Sequence, residues 1–291
     1  MLYLILSVFC SVFVGVVIKI SKKYNADIFQ MITINYLIST ILSVLLFDIN
    51  FVIIPNDIPF VNISVLIILL PTIFGVLFKS VQQVGIIRTD IAQRLSLFLP
   101  IIAAITIFGE KISTLKYIGI LIGFISIYLI LSKDKQFNQG ISNYSNWLFP
   151  ISVFAGFGII DILFKQLALY SAIPYTTSML YVFIGAAIVS IIVNMFYMIL
   201  KQKKINYNSL LFGIPLGIFN FLNIYFYLKA HQVFSENPTT VFAGMNFGVI
   251  ILGSLVGYFI FKEKLRIKNI IGIILSLIAV SIILISQFYN L

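Results

Sequence analysis

Four polar residues recur inside one apolar run of the chain. Asn220, Asn223, Tyr227 and His231 stand three, four and four positions apart in "NFLNIYFYLKAH", a spacing that a helix gathers onto one face. Amides, a phenol and an imidazole act by giving and taking hydrogen bonds. Such a stripe can line a cavity for a polar solute, or it can tie neighbouring helices together. Lys79, Gln82 and Gln83 form a second set within one turn. There the ammonium can meet a substrate carboxylate or phosphate, or reach outward to the membrane interface. Asp161 and Lys165 are four apart, in the order that favours a helical ion pair. They read as a structural pair, or as a proton-linked switch. His231 is the one histidine; its ordinary titration range suits proton coupling, and a hydrogen-bonding role suits it equally. Asn35, Arg94, Tyr181 and Asn246 are further cavity candidates.

Carboxylates appear in a different pattern. "FGEKISTLKYIGILIG" begins at Phe108 and "FKEKLRIKNIIGIILS" at Phe261. Glu110 and Glu263 are 153 residues apart, and Gly119 and Gly272 keep the same spacing. Each Glu precedes a Lys (Lys111, Lys264) in a short connection, which reads as a solvated pair or a helix-end contact rather than a catalytic group. No G-x-x-x-x-G-K-[ST] loop occurs, so ATP is not expected as a direct energy source. No H-E-x-x-H pattern or Cys/His cluster occurs either. One His and one Cys, Cys10, make no dyad, intrachain disulfide or structural zinc site. No cofactor and no metal are expected.

These groups need elements to hold them, and composition says which. The chain has 291 residues, 61% hydrophobic and 10% charged, against about 45–50% and about 25% in soluble domains. Its apolar residues come in runs of roughly 20, long enough to cross a bilayer core as helices. Helices satisfy their own backbone groups in lipid, and continuous apolar runs do not fit alternating barrel strands. The sequence predicts ten transmembrane helices at 2–20, 28–47, 61–85, 89–108, 114–132, 147–168, 174–200, 209–230, 237–261 and 267–288. The first lacks a basic leader and a cleavage site, and reads as a retained helix. A polar linker, 133–146, separates a first half, 1–132, from a second, 147–291.

A net charge of +10 does not indicate nucleic acid, because the basic residues sit in clusters between apolar runs rather than on one face. Connections after the odd-numbered spans, with their flanks, hold 15 of the 19 basic residues; Lys111, Lys116, Lys165 and Lys229 fall on the other side. The positive-inside rule puts the richer side in the cytoplasm and both termini outside.

The two related stretches join the fourth span to the fifth and the ninth to the tenth. Five helices separate them, so the second copy must enter the membrane from the opposite side. Opposed halves with a site between them near the midplane are a transporter design. Here the chain resembles the EamA-like family of the drug/metabolite transporter superfamily. The residues carrying the resemblance are Pro100 ahead of Glu110 in "LSLFLPIIAAITIFGEKIS", Glu263 after "NFGVIILGSLVGYFIF", and Phe157-Gly158 followed by Lys165. Gly253 stands where the second copy would carry the proline, and Cys10-Ser11-Val12 matches the first helix poorly. The resemblance implies an all-α integral membrane protein, its ten helices forming two inverted five-helix repeats. Members of that family commonly have cytoplasmic termini, opposite to the charge bias here.

The expected function is a secondary transporter of the bacterial inner membrane. What the resemblance implies is export of an amino acid, a related metabolite or a drug-like compound. Rival readings are a lipid-linked substrate flippase and, less favoured, a membrane-embedded enzyme. The expected partners are a small-molecule substrate, the lipid bilayer and an optional coupling proton; nucleic acid is not among them.

Overall fold

The computed structural model describes residues 1–47, 58–84, 86–131, 148–262 and 267–288. The 133–146 linker, Glu263, Lys264 and Arg266 lie outside the described residues. Within them the chain is helical. The α-helices are α1 (Leu2–Ser21), α2 (Ile28–Leu46), α3 (Phe60–Val84), α4 (Ile86–Leu95), α5 (Phe98–Thr106) and α6 (Thr114–Leu131), then α7 (Leu148–Ala168), α8 (Tyr175–Lys201), α9 (Tyr207–Val233), α10 (Pro238–Phe259) and α11 (Ile267–Phe288). Eight helices among the described residues are long and apolar enough to cross a membrane. Burial runs opposite to that of a soluble protein. On α1, Leu2, Ile5, Phe9 and Phe13 are exposed while Ser7 is fully buried, and Ser39, Ser43, Ser126 and Ser178 are likewise enclosed. Large apolar side chains facing outward are what lipid accommodates, and small residues between helices let backbones approach.

Nine of the ten predicted spans correspond to single helices; the fourth does not. The predicted 89–108 span is broken at Ser96–Leu97 into α4 and α5. The proline contributes, together with the polar segment before it, since α3 and α9 stay continuous through Pro71 and Pro215. Pro100 has no N–H to give to the Ser96 carbonyl, so the chain tightens. Leu99 N–H bonds that carbonyl instead at 3.0 Å, and Leu97 N–H bonds Arg94 O at 3.3 Å. Ser96 Oγ turns back onto Gln93 O at 2.6 Å. Pro100 then sits in the first turn of α5, where a proline is tolerated. The preceding piece, "IIRTDIAQRL", is too polar and short to span by itself.

The chain divides into two compact units, Met1–Gly75 with Leu163–Val233, and Val76–Ile162 with Phe234–Leu291. Each combines segments from both sequence halves. In the first, α2 packs on α8 and α9, and α1 runs antiparallel to α9. Tyr3 stacks with Phe226, and Phe13 with Phe219. The α2–α9 approach requires glycine. A Cβ on Gly217 would lie 2.7 Å from Ile38 Cβ and 2.9 Å from Asn35 O, and one on Gly213 would lie 2.7 Å from Ile34 Cβ. At one end of this unit the connection after α1 and the connection after α8 interlock. Gln30 Nε2 donates to Lys204 O at 2.9 Å, Asn206 N–H donates to Gln30 Oε1 at 2.8 Å, and Asn208 Nδ2 donates to Tyr24 O at 2.7 Å. These are two of the basic connections that the charge count assigns to one side.

In the second unit α6 and α11 run antiparallel in close contact. Ser126 Oγ donates to Gly272 O at 2.8 Å, and the Cβ position of Gly119 lies 3.2 Å from Ala279 O. A shift of 153 takes Gly119 to Gly272 and Ser126 to Ala279, so each of these contacts maps onto the other. The connections before the two helices match as well. Ile107 and Phe108 N–H both bond Ala103 O, at 2.8 and 3.0 Å; Ile260 and Phe261 N–H both bond Val256 O, at 2.9 and 3.3 Å. Gly109 follows with φ +66° and Lys262 with φ +53°. All of these pairs are 153 residues apart.

Candidate functional site

The α9 stripe forms as the spacing predicts, and its members do different things. Asn223 is half-buried and faces α1, where Ser7 Oγ lies 2.8 Å from its Oδ1 and 3.1 Å from its carbonyl. Its amide is thus partly committed to holding α1 and α9 together. One turn on, Tyr227 is buried, edge-on to Phe164 of α7 at 6.3 Å and to His231 at 4.7 Å. His231 is fully buried, as is Lys165 of α7. Gln232 Nε2 fastens the same ends of α9 and α7 by donating to Ala168 O at 3.1 Å. Phe164, Tyr227 and His231 therefore make a polar and aromatic group within the first unit. Asn220 is buried on the same face of α9. Asn35, 1% exposed on α2, has its Oδ1 buried with no hydrogen-bond partner among the described residues. That is a costly state for an amide, and it marks a place where a polar ligand atom would be stabilising. Tyr181 is half-buried on α8 of the same unit.

The remaining candidates belong to the second unit. Lys79 and Gln83 are exposed on α3, and the Gln82 side chain lies outside the described residues. Arg94 is half-buried on α4. Asn246 is half-buried on α10, with Nδ2 turned back to Phe242 O at 3.1 Å. Asp161 is half-buried on α7, one turn before Lys165.

The structure changes the reading of Glu110. Its partner is Lys116, not the adjacent and exposed Lys111. Glu110 Oε1 accepts from Lys116 Nζ at 2.7 Å, with both side chains enclosed. Oε2 accepts the Thr239 N–H at 2.8 Å, and Lys116 Nζ also donates to Asn237 Oδ1 at 3.0 Å. A carboxylate on the first-turn amides of a helix meets the positive end of its dipole, so Glu110 caps α10. The Schellman-like turn at Gly109 aims it there, with Glu110 N–H bonding Ala104 O at 2.9 Å. The helix-end reading therefore holds for Glu110 and the solvated one does not, because the pair is buried.

An aromatic group around Lys229 was not singled out from the sequence. Lys229 Nζ lies 3.1 Å from Tyr225 OH and 5.1 Å from the Tyr3 ring centroid, and Tyr175 stacks with Tyr225 at 6.1 Å. The i, i+4 spacing of Tyr225 and Lys229 was a visible signal; the contributions of Tyr3 and Tyr175 were not.

Comparison with known proteins agrees with this architecture. Residues 1–132 match the EamA-like transporter family. An uncharacterized protein of Haemophilus influenzae is 42% identical over 287 residues, covering 95% of each chain. A solved crystal structure of 12% identity covers 97% of this chain and 98% of its own with a TM-score of 0.70, which shows a shared fold. With eight apolar helices of spanning length among the described residues, the chain is a multi-pass membrane protein whose residues 1–132 belong to the EamA-like transporter family.

Proposed function

We propose that the protein is a secondary transporter that exports a small organic metabolite, such as an amino acid or a drug-like compound. Two inverted five-helix repeats, 1–132 and 147–291, would open a central polar cavity to each side in turn. The observation that carries this reading is the pair of matching connections at Gly109 and Lys262, together with the reciprocal α6–α11 contacts. An antiparallel pair of helices with interchangeable contacts is what a two-fold axis in the membrane plane produces. Asn35, Tyr181, Asn220, Asn223, Tyr227 and His231 supply the substrate's hydrogen bonds in this scheme. Lys79, Gln82, Gln83, Arg94 and Asn246 form a second polar set, and Asp161 with Lys165 is the place for a coupling proton. The interlocked basic connections after α1 and α8 support one cytoplasmic side, with both termini outside the bacterial inner membrane.

The test is a metabolite profile of cells with and without the protein, followed by uptake into inverted vesicles of any solute that accumulates. Loss of transport in Asn35→Ala and Asn220→Ala at unchanged protein level supports the site; unchanged transport in both overturns it. Product formation by detergent-purified protein, without compartments, would replace transport by enzymatic chemistry. A reporter fused to the C-terminus that is active in the cytoplasm would reverse the orientation.

A further inference from the structure

The interlocked connections of the first unit line an open cavity of about 340 Å³ that the transport reading does not use. Its lining includes Lys22, Lys203, Lys204, Asp27, Gln30 and Asn206. The floor is fixed by hydrogen bonds. Gln30 is buried and spends both ends of its amide on the opposing connection, donating to Lys204 O at 2.9 Å and accepting from Asn206 N–H at 2.8 Å. Asn206 Nδ2 donates to Asn25 O at 2.8 Å. Asp27, the one acid of the lining, is turned into α2, where it accepts the Phe29 N–H at 3.0 Å. Three exposed ammonium groups on a fixed polar floor favour an anion.

The flanks narrow the choice of anion. Leu200, Ile205 and Tyr207 flank the Lys201–Lys204 run in sequence and are 78%, 84% and 73% exposed. A free phosphate would satisfy the lysines and leave these side chains without apolar contact. An amphiphile with a phosphate head and acyl chains satisfies both. The place suits it too. The cavity sits where α1 and α8 end and α2 and α9 begin, at the level where basic side chains and aromatic rings meet headgroups. We propose that this cavity binds the headgroup of an anionic phospholipid, with its acyl chains lying along Leu200, Ile205 and Tyr207.

The test uses the full-length protein in phosphatidylcholine nanodiscs, with phosphatidylglycerol added as the probe and bound lipid counted by native mass spectrometry. Each lysine near a headgroup contributes roughly fivefold in affinity. Joint replacement Lys22→Gln, Lys203→Gln and Lys204→Gln is therefore expected to weaken phosphatidylglycerol binding ~100-fold. The corresponding triple change to Arg should hold it near the starting value. Thermal unfolding in pure phosphatidylcholine checks that the exposed glutamines leave the fold intact. Equal retention of phosphatidylglycerol by the glutamine variant would overturn the proposal. So would displacement of the lipid by millimolar inorganic phosphate, which would make the ligand a soluble anion. Neither result depends on which solute is transported.

Discussion

Two stretches of this chain share a sequence frame, and one of the positions at which they differ carries a proline in the first copy alone. In the first, Pro100 accompanies a helix broken at Ser96–Leu97. In the second, Gly253 stands at the equivalent place, 153 residues on, and α10 runs unbroken from Pro238 to Phe259. Beyond that position the two agree again, with doubled N–H bonds to Ala103 and Val256 and a left-handed residue at Gly109 and Lys262. The comparison teaches that the two copies share their turns, while the break accompanies the proline in one copy alone; α3 and α9 run on through Pro71 and Pro215, so a missing N–H acts together with its local sequence. A discontinuous helix presents backbone groups that a continuous one keeps for itself, so the two copies expose different backbone groups.

The largest expected effect comes from the Glu110 cap. Glu110→Ala leaves Lys116 enclosed without its carboxylate and should cost about 3–5 kcal/mol. A fall in melting temperature in detergent would show it, with partial recovery on adding Lys116→Met. Lys111→Ala, on the exposed neighbour, should stay within about 0.5 kcal/mol; equal losses for the two would remove the cap from the comparison.

Proline transfer addresses continuity directly. Gly253→Pro should destabilise by about 3 kcal/mol and break α10, read as lost melting temperature and a changed spin-label distance across the helix. An unaltered distance would mean that proline does not decide the break. The reverse change, Pro100→Ala, should bring α4 and α5 into line at a stability cost within about 1 kcal/mol.

Two glycines in the second unit make a smaller pair. A Cβ on Gly123 would fall 2.0 Å from Phe247 Cζ, whereas nothing lies within 4 Å of one on Gly253. Gly123→Ala should therefore cost about 1–3 kcal/mol, and Gly253→Ala should stabilise by about 0.5–1 kcal/mol. Similar melting shifts would deny the packing difference. Smallest is Asn223→Ala, about 0.6 kcal/mol for one interhelical hydrogen bond, with Ser7→Ala adding little in the same background if they form one contact.

Much of the fold was legible. Uninterrupted apolar runs can only be helices in lipid, and nine of ten predicted spans correspond to single helices. The break in the fourth had its signal in Pro100 and in the polar Arg88–Arg94 segment, and the apolar average of the window hid it. The α9 stripe was legible because a helix maps a 3, 4, 4 spacing onto one face whatever surrounds it. What that face meets was not. Asn223 meets Ser7 from 216 positions away, and Tyr227 meets Phe164 of α7.

By itself, then, the sequence determined the helices, their polar stripes and the 153-residue spacing of the related stretches, because periodicity and lipid solubility are local and additive. Only the tertiary structure decided partners. It paired Glu110 with Lys116 and the Thr239 amide of α10 rather than with Lys111, left Asn35 Oδ1 enclosed without a donor among the described residues, and locked the Lys22 and Lys203–Lys204 connections together through Gln30. Each depends on which helices lie side by side, and packing fixes that through close approaches such as Gly213 and Gly217 against α2.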